Sequence, residues 1–237
     1  MLAHLNVGDL LVAVHFKDIK NVHLSVHPPS GRVTVSAPHQ TDIETIRVFA
    51  ITKLGWIRRQ QLKLRTQHRE MVREFLANES HFVWGKRYLL RVAESKRASV
   101  TINHRNLILH VPVEATVERK DALLAGWYRE QVKAAVPALI ARWAPVVGVG
   151  VDKITVQRMK TKWGSCSHKS GSIRLNTDIA KKPKECLEYV LLHEMVHLLE
   201  PTHNARFTGA MDRLMPNWRL RRDLLNELPV SHQEWQS

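Results

Sequence analysis

The run "KECLEYVLLHEMVHLLE", residues 184–200, constrains this chain more than any other stretch. Its apolar residues recur on most sides of a 3.6-residue period, so the segment predicts a helix buried within a core rather than laid on a surface. Pro183 stands at the first-turn position that proline tolerates best. Pro201 biases Glu200 away from α geometry and marks the expected end. A helix hidden in this way needs a domain around it. With 237 residues and 44% hydrophobic content, the chain can form one large domain or a small domain fused to a modest one.

The same helix carries chemistry. His193 and His197 are four residues apart and so share one face, one turn above the other. Two imidazole nitrogens can then meet at one point about 2.0–2.1 Å away, the usual Zn–N distance. Glu194, beside the first histidine, completes an HExxH pattern in which the carboxylate reaches a metal-bound water rather than the metal. A catalytic zinc needs a third protein ligand and one open position. His203 lies just past the break at Pro201, where the chain can fold back; Glu200, seven residues after His193, is the competitor and would need the helix to continue. The spacing favours His203. The plainer account is a buried helix whose histidines are satisfied by hydrogen bonds, but a buried Glu194 with no role would be costly.

Other residues carry weaker signals. Cys166 and His168 in "GSCSH" lack partners at zinc-finger spacing, and a small cysteine packed in a turn is the simpler reading. Trp163, Gly164 and Ser165 could line a cleft or simply pack a strand pair. Arg219, Arg221 and Arg222 form a basic cluster that suits either an anion or a solvated face. His15, His23, His27, His39 and His104 lack ligand spacing and read as surface residues.

Upstream, Val22, Leu24 and Val26, then Val33, Val35 and Ala37, alternate around "PPSG", which predicts a β-hairpin with one buried face. Thr41 and Glu44 stand at capping-box spacing before a helix carrying Ile43, Ile46, Phe49 and Ala50, with a basic helical continuation through "WIRRQQLKLRTQHREMVREF". A second strand-rich stretch, "RYLLRVAESKRASVTINHRNLILHVPV", precedes a helix over residues 116–143. The two stretches resemble a repeat: strands ending in "SAP" or "VPV", then "GWIR" at 55–58 and "GWYR" at 126–129. Beyond residue 152, "KITVQRM" and "IRLN" read as strands around a Gly/Ser-rich turn, and a last helix begins near Asn204 with "MPNW" interrupting it. The expected organisation is an N-terminal part over 1–150 and a catalytic core over 151–237, or one continuous domain.

Charge adds a constraint on partners. Thirty-six Lys and Arg against 22 Asp and Glu give a formal net charge of +14, which attracts nucleic acid or another polyanion. Two cysteines alone, no signal peptide and no apolar run of bilayer length point to a cytoplasmic, reducing setting and no membrane partner.

"RMKTKWGSCSHKSGSIRLN" followed by "YVLLHEMVHLLEPTHNARF" resembles the YgjP-like metallopeptidase family, relatives of the SprT-like and other zincin proteases. The N-terminal "VHLSVHPPSGRVTVSAP" is similar to that family's opening hairpin. The resemblance implies zinc on His193, His197 and His203, Glu194 as general base, and an α+β zincin-like fold with the HExxH helix packed on a small, mostly antiparallel sheet. The expected activity is hydrolysis of polypeptides. Two alternatives stay open: a metal-dependent nucleoside triphosphate pyrophosphatase, against which the lack of a glycine-rich phosphate loop counts, and a DNA-associated protease or nucleic-acid-binding protein with structural zinc.

Overall fold

The computed structural model describes residues 2–27, 30–66, 75, 78–159 and 162–227. The chain divides into two compact units, residues 1–68 with 234–237, and residues 69–233. Both are built of helices and small sheets, an α+β architecture.

In the first unit β1 (Leu2–Val7), β2 (Leu10–Lys17), β3 (His23–His27) and β4 (Arg32–Pro38) form one sheet in the order β1-β2-β4-β3. Val7 faces Leu10 across a two-residue turn in which Gly8 takes φ +63°, the left-handed geometry such hairpins require. The hairpin expected around "PPSG" is the antiparallel β3–β4 pair, and Val33, Val35 and Ala37 are buried as their alternation demands. Two helices, α1 (Ile43–Thr52) and α2 (Leu54–Thr66), bring Ile46, Ala50 and Ile57 into the same core. The cap of α1 is Asp42 rather than Thr41: its carboxylate accepts from the backbone N–H groups of Glu44 and Thr45. A carboxylate at that position also meets the positive end of the helix, which a hydroxyl cannot match. The expected helical continuation past Thr66 lies outside the described residues through residue 74.

The second unit opens with β5 (Ser80–Val83), β6 (Lys86–Glu94), β7 (Ser99–Asn103) and β8 (Asn106–Val111), again in the order β5-β6-β8-β7. Each sheet pairs its outer strands antiparallel and its central two parallel, Val12 with Val33 in one and Leu90 with Leu107 in the other. The repeat seen in the sequence is therefore a repeat of topology. Both "GW" tetrapeptides fall in helices after their sheets, the second in α3 (Val117–Val147). That helix is capped by Thr116 and runs four residues past its expected end, through Pro145 to Gly148, which supplies the left-handed C-cap at φ 78°.

A third sheet, β10-β11-β9, is mixed: β11 (Ser172–Asn176) runs parallel to β9 (Lys153–Gln157) and antiparallel to β10 (Gly164–Ser167). Within the Gly/Ser-rich segment expected as a turn, Gly164–Ser167 are strand, while His168–Ser170 form a 3-10 turn that ends at Gly171. Helices α4 (Lys184–Leu199), α5 (Ala205–Leu214) and α6 (Trp218–Glu227) complete the unit. Leu107, Leu124, Tyr128 and Val132 share one core with Leu187, Leu191 and Val196 of α4. Because of that shared core, residue 150 is not a boundary between compact units; the division lies near residue 68. Among the described residues no helix is long and apolar enough to cross a membrane.

Candidate metal and active site

Helix α4 is buried almost throughout, from Cys186 to Val196, as its apolar composition demands. It begins after Pro183 and stops at Glu200, whose extended backbone (φ −128°) turns the chain ahead of Pro201. The turn brings His203 back over the helix. Its Nε2 lies 3.0 Å from Nε2 of His197 and 3.0 Å from Nε2 of His193. All three candidate ligands thus converge, whereas the Glu200 side chain accepts from Asn204 Nδ2 instead.

Three facing nitrogens cannot satisfy one another with hydrogen bonds alone, since a neutral imidazole has one donor and one acceptor. A cation among them resolves the conflict. His197 Nδ1 lies 2.9 Å from the Glu200 carbonyl oxygen and donates to it, which fixes the tautomer that leaves Nε2 free as a ligand. Burial, with His197 and His203 nearby, pushes the His193 pKa down to about 3, and burial lowers that of His197 as well. His193 therefore stays neutral, the form that binds metal, and the shift at His197 favours the same form. Phe207 of α5 underlies all three, its ring centroid 4.5–4.9 Å from each imidazole.

Glu194 points to the other side of the site, where the β10 strand passes. A Cβ on Gly164 would stand 2.8 Å from both Cγ and Oε1 of Glu194 and 2.9 Å from Val190 Cγ1. Only glycine lets the strand lie this close to the carboxylate. Burial raises the Glu194 pKa to about 7, against the opposing pull of Lys162. A carboxylate poised at neutral pH is suited to take up and return a proton. Gly164→Ala is accordingly expected to displace Glu194 and reduce any activity of the site at least tenfold, with the His193, His197 and His203 cluster retained; steady-state rates beside a metal titration check this.

A cavity of about 520 Å³ opens over the cluster, lined among others by Trp163, Gly164, Ser165, Tyr189 and Arg222. Trp163, Gly164 and Ser165 therefore line the cleft. Cys166 and His168 also reach it, but among the described residues the only grouping with metal-ligand geometry is the three-histidine cluster. Burial raises the Cys166 thiol pKa, as it does that of Cys186, so neither is a ready thiolate. The basic cluster on α6 is paired: Arg219 with Asp212, Arg221 with Glu188, and Arg222 with Asp223. Sequence reasoning missed the role of Phe207, and it gave Gly164 as a cleft-lining candidate without its close approach to Glu194.

Two helix-borne histidines, a third from the following loop and a buried carboxylate next to the first are an arrangement suited to metal-dependent hydrolysis. The chain belongs to the family described as YgjP-like, metallopeptidase domain, whose model matches residues 20–228. Two solved structures are similar in part. One is the metallopeptidase zymogen of Pyrococcus abyssi abylysin, at 23% identity and TM-score 0.34, over 38% of this chain and 87% of that one. The other is the metallopeptidase zymogen of Methanocaldococcus jannaschii jannalysin, at 22% identity and TM-score 0.32, over 39% and 93%. No curated protein sequence matches this chain.

Proposed function

We propose that the protein is a zinc-dependent peptidase in which His193, His197 and His203 hold the metal and Glu194 is the general base. The convergence of the three Nε2 atoms beside a buried carboxylate supports this reading most directly. The donor set of three neutral imidazoles suits zinc, which when bound supplies a water of lowered pKa and a Lewis acid for the substrate carbonyl. The carboxylate of Glu194 accepts the proton of the attacking water at an oxygen and delivers it to the leaving amine nitrogen. A pKa near 7 lets it act in both directions at neutral pH.

β10 is an edge strand of its sheet and Gly164 brings it against Glu194. Its free edge can pair with an extended peptide, so that main-chain hydrogen bonds hold the scissile bond over the carboxylate. Tyr189 lines the cavity and stacks on Trp218, ring centroids 6.3 Å apart, which stiffens that part of the wall.

The test is mass-spectrometric. Zinc-loaded protein incubated with an unfolded polypeptide mixture is expected to generate new peptide termini. Release of pyrophosphate from nucleoside triphosphates without new termini would assign the site to nucleotide hydrolysis instead. Metal binding has its own readout. Zinc at about 100 times its dissociation constant should stabilise the fold by about 2.7 kcal/mol. Calorimetry of metal-free and zinc-loaded protein measures that gain, which His203→Ala should largely remove.

A further inference from the structure

The four-stranded sheet of the first unit packs Val12, Val14, Val33 and Val35 into its core, so alternate residues face the other way. That second face gathers residues that look unrelated in the sequence. Strand register sets Ser36 between His15 and His23, sets Arg32 opposite His27, and places both His4 and Thr34 opposite Ala13. Lys17 closes the face at the end of β2. None of its strand positions is an aspartate or glutamate. Three of the acids among the unit's described residues are engaged elsewhere: Asp42 caps α1, Glu44 pairs with Arg47, and Asp9 pairs with Arg58. Asp18 is the nearest carboxylate in sequence, one residue past β2.

Four imidazoles, two permanent cations and a set of hydroxyls on one sheet face suit a particular ligand chemistry. Flat aromatic rings accept unstacked bases, hydroxyls hydrogen-bond base and sugar edges, and the cations meet phosphates. The His27 ring lies with Nε2 2.7 Å from Thr34 Oγ1, and burial, Arg32 and His15 lower its pKa, which favours the uncharged form. An acidic protein segment would use the charges but not the rings. A B-form duplex keeps its bases inside the grooves, out of reach of a flat surface.

We propose that this sheet face binds single-stranded nucleic acid, with Lys17 and Arg32 on the phosphates and His4, His15, His23 and His27 against the bases. The net charge of +14 brings the polyanion to the protein, and the face holds it. The inference stands apart from the peptidase reading, since it uses none of the residues of that site.

The test uses the full chain and a fluorescent oligonucleotide of about 20 nucleotides, single-stranded or annealed, with anisotropy read across about 50 to 200 mM salt. Lys17→Glu with Arg32→Glu is compared with Arg97→Glu plus Arg105→Glu, two exposed arginines off this face, which changes the formal charge equally. The expected result is tighter binding to the single strand than to the duplex, lost at least tenfold on reversing the face and much less in the control. His15→Gln with His23→Gln, a milder change for folding, should weaken binding with the salt slope intact. Equal losses in both charge variants, equal affinity for the duplex, or competition by polyglutamate as effective as by the unlabelled strand would each overturn the proposal. The last would assign the face to an acidic protein partner.

Discussion

Glu194→Gln is expected to cut peptide-bond cleavage by about 10² to 10⁴, the usual contribution of a positioned proton-transfer group, with zinc still bound in a one-to-one ratio. The amide has nearly the size of the carboxylate, so the narrow gap between Gly164 and Val190 stays filled and the three imidazoles keep their 3.0 Å spacing. What the amide cannot do is accept a proton. Turnover in the wild type should rise with pH as Glu194 ionises, because burial holds its pKa near 7 in the folded protein against an ordinary value of 4.5. The sign for stability is the opposite. A raised folded pKa favours the protonated form, so its contribution is complete below pH 4.5 and is lost as pH rises through 7. Lys162 at the cavity wall moderates the loss by favouring the charged form. Parallel cleavage assays and metal analysis check the prediction. Full turnover in a zinc-loaded Glu194→Gln protein would show that another group takes the proton.

This site was legible in the sequence to the extent that it is local. His193, Glu194 and His197 lie within a single turn and a half of α4, where spacing fixes relative position. His203 could be chosen over Glu200 because a proline has a definite effect on the backbone before it, and Glu200 is extended as that effect requires. The segment around Gly164 misled for an equally physical reason. Glycine and serine read as turn chemistry, but here pairing with β11 makes a strand, and the absent side chain serves the approach of Glu194. Thr41 was favoured as a cap on a spacing pattern that Asp42, one residue later, satisfies with a charge. The scattered histidines of residues 1–68 offered no local signal, because strand register alone brings them to one face.

Glu188→Ala is expected to destabilise the second unit by about 3 kcal/mol, because it breaks a buried ionic cluster from the side of its single carboxylate. Glu188 is only 9% exposed on α4, yet its Oε1 accepts from Arg142 Nη1 at 2.8 Å and Trp143 Nε1 at 3.1 Å, while its Oε2 accepts from Arg221 Nη1 at 2.6 Å. The bond to Arg142, whose side chain is 65% exposed, contributes least because water can replace it. Arg221 and the Trp143 indole are buried further, so they carry most of the cost when their acceptor is gone. These partners join α3 and α6 to the helix that carries His193 and His197, from 45 and 33 residues away, which no local pattern could announce. At about 2–4 °C per kcal/mol for a unit of this size, the midpoint should fall by roughly 6–12 °C. Glu188→Gln keeps an acceptor for Trp143 and should lose less. Glu188→Leu combined with Arg221→Met removes both charges together, and its partial recovery in calorimetry would identify the stranded Arg221 cation, rather than lost packing, as the cause. A Glu188→Ala protein that melts with the wild type would instead mean that apolar burial alone fixes α4 in place.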